Sequence, residues 1–149
     1  MPTSVPFVQA RRHLAEEIDP KVQLCREFEY RARLAAVTQE IGALVPAGEA
    51  LILVDDVRWD ANEVAADRRA IPFLERDGQY WGPAADDETA IREFERLRKS
   101  GAGFMVFGWP VFWWLDHYSG LREHLRSHFP CVLENDRLVA FDLRSGGRL

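Results

Sequence analysis

The stretch Ala50-Leu-Ile-Leu-Val54-Asp55-Asp56 decides the fold. A short unbroken apolar run ending in acids marks a strand buried on both faces of a parallel sheet, because helices cover both sides of such a strand. Upstream, residues 21–44 hold no proline, and no glycine before Gly42. Leu24, Phe28, Arg31 and Ala35 recur at helical spacing, and Leu34, Val37, Ile41 and Leu44 are expected to continue the same apolar stripe. The pattern predicts an amphipathic helix of about 20 residues, stopped by Pro46-Ala-Gly48. Residues 1–20, with Pro2, Pro6 and Pro20, read as a loosely held lead-in with a short helix over 8–18.

Downstream, residues 57–69 are polar and hold at most a short helix. Ala70-Ile-Pro-Phe-Leu74 is a second strand, which Pro72 confines to a sheet edge or a strand end. Asp77-Gly78 makes a turn, and Tyr80-Trp81-Gly82-Pro83 an aromatic loop. Asp86-Asp87-Glu88 caps a helix whose buried face is Ala90, Ile91, Phe94 and Leu97. After Gly101 and Gly103, Phe104-Met-Val-Phe107 is a third buried strand, and Gly108-Trp109-Pro110 turns the chain. Helix then runs to His128 with a break at Ser119-Gly120. Cys131-Val-Leu133 and residues 138–143 form an antiparallel hairpin across Asn135-Asp136, and 145–149 are a frayed tail. The expected fold is a single α/β domain over 21–144. It has three layers, a mostly parallel sheet of about five strands with helices on both faces, and a C-terminal antiparallel hairpin.

Composition narrows the function. With 149 residues, 47% of them hydrophobic, about two-thirds of the unfolded chain's surface can be buried without a disulfide or metal staple. A net charge of −5 disfavours a general nucleic-acid binder, which needs a concentrated basic face. No apolar run approaches the roughly 20 residues of a membrane span, and residues 1–21 lack a signal-peptide core. Cys25 and Cys131 read as inert core thiols of a reducing compartment, which points to the cytoplasm. Arginine outnumbers lysine 17 to 2, which removes most lysine-dependent mechanisms.

In open α/β sheets ligands bind beyond the carboxyl ends of the strands, where strand order reverses. Those ends carry Asp55, Asp56 and Trp59 after the first strand and Trp109 after the third. If the two strands are neighbours, both turns border one crevice. Arg68-Arg69 are candidate partners for these acids or for an anionic ligand. Asp55 or Asp56 is the best candidate for an acid or base, the alternative being that both acids simply cap the loop that follows. Trp109, Phe112, Trp113, Trp114 and Tyr118 crowd ten residues. They read either as core anchors or as a stacking platform for sugar rings or an interface. Trp81, Trp113 and His117 join the candidate ligand-binding set on that ground.

Other chemistries lack their parts. The adjacent acids do not match the alternate spacing of haloacid-dehalogenase-type phosphoryl transfer, and no lysine follows Lys99 as a response regulator needs. The layout is Rossmann-like, but no glycine-rich turn follows a strand, so no nucleotide cofactor is expected. His117, His124 and His128 would share a helix face if the helix were unbroken, yet a solvated boundary explains them better than a metal does. No serine stands on a nucleophile elbow. Glu75 and Asp77 near Tyr80 and Trp81 form either a carboxylate pair for a sugar or the polar rim of a hairpin.

Arg68-Arg-Ala-Ile-Pro-Phe-Leu-Glu-Arg-Asp-Gly-Gln-Tyr-Trp-Gly-Pro83, then Gly103-Phe-Met-Val-Phe-Gly-Trp-Pro-Val-Phe-Trp-Trp-Leu-Asp-His-Tyr118, together with residues 131–143, resembles an uncharacterised tryptophan-rich α/β domain. Bacterial chains attach that domain after glycosyltransferase-type modules. The resemblance spans about residues 45–144, and the layout is also similar to soluble terminal domains of membrane sugar-transfer enzymes. It implies an accessory role in surface-polysaccharide synthesis and transfers no catalytic residue. This chain departs from that setting in having no nucleotide-sugar module and no membrane helices. The resulting expectation is a non-catalytic accessory or recognition domain for a glycan, a small ligand or a protein partner. The alternatives are a small enzyme using the carboxylate pair, and a homodimerising interaction module.

Overall fold

Strand β1 (Ala50–Val54) is buried along its whole length and hydrogen-bonded on both sides. It belongs to a computed structural model that describes residues 19–144. In chain order the elements are α1 (Pro20–Leu44), β1, α2 (Ala61–Val64), β2 (Arg69–Pro72), β3 (Glu75–Arg76), β4 (Gln79–Tyr80) and α3 (Asp87–Lys99). There follow β5 (Phe104–Gly108), a 3-10 turn (Trp109–Val111), α4 (Trp113–His117), α5 (Ser119–His128), β6 (Cys131–Glu134) and β7 (Leu138–Asp142). The lead-in expected before residue 19 and the tail expected at 145–149 lie outside the described residues.

The main sheet has the order β2-β1-β5-β7-β6. Strand β1 runs parallel to β2 and β5, while β7 is antiparallel to both β5 and β6. The sheet is therefore mixed, and the expectation of a mostly parallel one is corrected. The C-terminal hairpin forms as expected, but its second strand docks along all of β5 and makes half of the pairings antiparallel. Pro72 ends the edge strand β2, where a missing N–H breaks no internal ladder.

Alternation sorts the strands into two faces. Ile52, Val54, Met105, Phe107, Val139 and Phe141 point one way and form one core with Phe94 and Leu97 of α3 and Leu121 and Leu125 of α5. Leu51, Leu53, Phe104, Val106, Leu138 and Ala140 point the other way and are buried too. Asp86 caps α3 by accepting the Thr89 N–H at 2.8 Å, as its position before the apolar run implies.

Helix α1 corrects the single-stripe expectation. At about 100° per residue, Phe28 and Val37 stand about 180° apart on the helix. Val37 and Ile41 are buried, whereas Leu24 is 65% and Phe28 76% exposed. Among the described residues, those up to Ala35 form one unit and those from Ala36 onward another. Within the second unit, Glu40 of α1 accepts hydrogen bonds from Arg137 at 2.8 and 3.1 Å and from Asn135 at 2.8 Å.

The two cysteines are also corrected. Both are exposed free thiols, Cys25 on the uncovered part of α1 and Cys131 on the edge strand β6. An edge strand has one side without a neighbour, so its side chains are less completely covered than those of β1 or β5.

Candidate functional site

Strands β1 and β5 are direct neighbours, and the chain visits β2 on one side of β1 before crossing to β5 on the other. Their carboxyl ends are thus a point where strand order reverses. The loop leaving β1 is held by Asp55, which is 6% exposed. Its Oδ1 accepts the Val57 N–H at 3.0 Å and its Oδ2 accepts the Trp59 N–H at 3.1 Å. Between those anchors, Asp56 and Val57 have φ of 58° and 56°. This left-handed region is rare for any residue with a Cβ and rarer for a β-branched one, so the loop stores strain.

That tight turn aims Trp59 back across the end of β5. A Cβ on Gly108 would stand 2.4, 2.8 and 2.9 Å from three carbons of the Trp59 six-membered ring. Trp109 flanks the same indole, with ring centroids 5.0 Å apart. The space directly between the two strand ends is filled by Trp59. The open cavity lies instead on the β2 side of β1. Its volume is about 320 Å³, and its walls include Leu53, Asp55, Val57, Trp59, Pro72 and Tyr80.

Tyr80 reaches the site from the β3–β4 hairpin. Asp77 and Gly78 have φ of 55° and 81°, which suits a tight hairpin turn, and Glu75 accepts the Gly78 N–H at 2.7 Å. Pairing continues past the two short strands, since the Trp81 N–H donates to the Leu74 carbonyl at 2.8 Å. Held this way, the Tyr80 hydroxyl donates to Oδ1 of Asp56. Burial, followed by the hydrogen bond to Asp56, pushes the Tyr80 phenol well above its usual range. It remains a neutral donor at physiological pH.

Asp55 has a raised pKa because burial outweighs the two amide hydrogen bonds it accepts. An acid whose pKa is higher folded than unfolded binds more protons when folded. Its ionisation therefore costs stability as pH rises above the ordinary carboxylate range near 4, and the cost is complete above the folded pKa. Asp55→Asn is expected to gain stability relative to the parent as pH rises from about 4 to 7. Parallel urea titrations across that range check this, and a gap constant with pH would contradict it.

The other anticipated residues lie elsewhere. Arg69 pairs in register with Ala50 at the start of β1, so it stands roughly 16 Å along the strand from Asp55. The two do not meet. Arg69 borders a separate hollow of about 270 Å³ with Arg96 and Ser100. Arg68 instead donates to the carbonyls of Val45 at 2.6 Å and Gly42 at 3.2 Å. Trp81 is 64% exposed, with the Arg76 guanidinium 4.6 Å above its ring. Trp113 and His117 form an exposed ring pair 5.9 Å apart on α4. Glu75 is paired with Arg96 at 2.8 Å, so the Glu75/Asp77 stretch is a hairpin rim and not a free carboxylate pair.

Metal chemistry finds no constellation. His124 pairs with Glu95 at 3.0 Å, and His128 Nδ1 lies 2.9 Å from the His124 carbonyl. Among the described residues no group of three His, Cys, Asp or Glu side chains could hold a metal ion. No described helix is long and apolar enough to cross a membrane.

No protein-family model, no curated protein and no solved structure matches the chain. Of the residues singled out in the sequence, Asp55 and Trp59 line this cavity, whereas Asp56 accepts from Tyr80 and Trp109 flanks Trp59 without lining it. Leu53, Val57, Pro72, Gln79 and Tyr80 line it without having been singled out. Only Tyr80 carried a signal, because the Asp77-Gly78 turn folds it back toward β1.

Proposed function

We propose that this chain is a non-catalytic ligand-recognition domain whose ligand occupies the cavity beside the end of β1. A single observation carries the reading. Asp55, a buried carboxylate, borders a cavity of about 320 Å³ at the switch point of the sheet and has no cationic partner there among the described residues. Buried charges are normally paired, and binding cavities combine apolar walls with a few convergent polar groups. The lining holds Asp55, Gln79 and Tyr80 as polar groups on an otherwise mostly apolar wall. In this reading the sheet is the middle of three layers, with Val37 and Ile41 of α1 belonging to its second cover.

The resemblance to domains that accompany glycosyltransferase-type modules supports an accessory role in sugar transfer. A sugar would donate hydroxyls to Asp55 and lay its C–H face against Trp59 or Tyr80. The raised pKa of Asp55 favours a second reading, in which Asp55 is the acid or base of a small enzyme. Backbone-amide NMR with a panel of monosaccharides and small polar molecules tests both. Recognition is expected to shift the amides of Val57, Trp59 and Tyr80 with the compound left unchanged. Shifts confined to Trp81 or Trp113 would overturn the cavity assignment, and conversion of a bound compound that stops in Asp55→Asn would establish the enzyme.

A further inference from the structure

Arginine is plentiful in this chain, and its placement is selective. Glu40, Glu75, Glu95 and Asp142 are all more exposed than Asp55, and each has an arginine nitrogen within 2.5–3.0 Å. Asp55 is the only buried charged residue among the described residues. Among the described residues its oxygens receive two neutral backbone N–H groups and no cation. No described arginine or lysine lines the cavity that Asp55 borders. The most costly carboxylate of the fold is thus the one left without a counter-ion.

We propose that the cavity binds a small organic cation, an ammonium group on an apolar or aromatic body, with Asp55 as its counter-ion. The proposal rests on the ligand-recognition reading above and adds the charge of the ligand. The walls fit such a molecule. Trp59 and Tyr80 supply aromatic surface for the cation and the body. Leu53, Val57 and Pro72 supply apolar contact. An anion is rejected, because it would face Asp55 with Asp56 next to it and no positive group of the described residues on the wall. A neutral hydroxyl can donate to Asp55 but does not offset its charge, so the ammonium is the better partner in a water-poor site.

Three probes with one body and different heads test the inference: benzylamine, benzyl alcohol and benzoate. Methyl glucoside serves as the sugar control. Affinities come from amide-shift titrations of the full chain at neutral pH, up to about 10 mM probe, which covers the weak binding that small fragments show. Benzylamine is expected to bind at least about tenfold more tightly than benzyl alcohol, and benzoate not to bind.

Asp55→Asn is expected to bring benzylamine down to the level of the alcohol. Gln79→Lys offers a second variant that leaves the fold alone, since Gln79 is exposed at the cavity wall. Its ammonium would occupy the same field and remove the preference for benzylamine, whereas Gln79→Met would keep it. Equal binding of amine and alcohol, or preference for methyl glucoside, would overturn the cation assignment while leaving ligand recognition standing. No probe shifting Val57, Trp59 or Tyr80 at any concentration used would overturn both.

Discussion

Trp114→Ala is expected to cost about 3–5 kcal/mol of folding stability, while Trp113→Ala changes it by no more than about 0.5 kcal/mol. The two residues are adjacent in α4, so about 100° of helix rotation separates them. Trp114 is 1% exposed, with ring centroids 5.6 Å from Phe73 and 4.6 Å from Tyr118. Trp113 is 45% exposed. Truncating Trp114 removes dispersion contacts on several sides and leaves a cavity under α4, where Tyr118 is tethered by donating its hydroxyl to the Ala84 carbonyl. One feature of Trp114 partly offsets its packing, because its Nε1 is buried without a hydrogen-bond partner. Trp114→Phe should for that reason cost much less than the loss of ring volume alone implies. Urea denaturation of the three variants checks the ordering. Equal losses for Trp113→Ala and Trp114→Ala would contradict it.

Gly108→Ala is expected to destabilise the chain by about 1–3 kcal/mol and to perturb the cavity beside β1, although it adds only one methyl group. The glycine is needed for space, not for backbone freedom. Its φ is −81°, which any residue adopts, whereas a Cβ there would stand 2.4 Å from the edge of Trp59. Trp59 cannot swing aside cheaply, because its own N–H is tied to Asp55 and Trp109 flanks its ring. The same contact predicts non-additivity. In a Trp59→Leu background the added methyl has room, so Gly108→Ala should cost little there. Thermal unfolding and near-ultraviolet circular dichroism of the two single variants and the double variant measure this coupling. Simple additivity would show that Gly108 and Trp59 do not press on each other.

The elements themselves were legible in the sequence. The apolar runs at 50–54 and 104–107 announce strands β1 and β5, because only strands buried on both faces tolerate such runs. Asp86 marks a helix start by accepting the Thr89 N–H, Ser119-Gly120 marks the boundary between α4 and α5, and Asn135-Asp136 marks the hairpin. Pro72 places β2 at an edge because of a missing donor. The acids that follow β1 were legible too, since a strand end and the residues just beyond it are local features.

What local pattern did not carry was partnership. Periodicity constrains which face of an element a residue takes, within about one turn of chain. The pairing of Tyr80 with Asp56 joins residues 24 positions apart through a hairpin, and the seating of Trp59 on Gly108 joins two different crossovers. The separation of Arg69 from Asp55 follows from register, and the antiparallel half of the sheet from the docking of β7 on β5. Strand order and register emerge from the summed packing of the whole core, in which no single side chain votes decisively. The sequence by itself therefore determined the strands, the caps and the acids at the end of β1. Only the tertiary structure decided that Trp59 packs across the end of β5, that the cavity opens on the β2 side, and that Asp55 borders it with no counter-ion among the described residues.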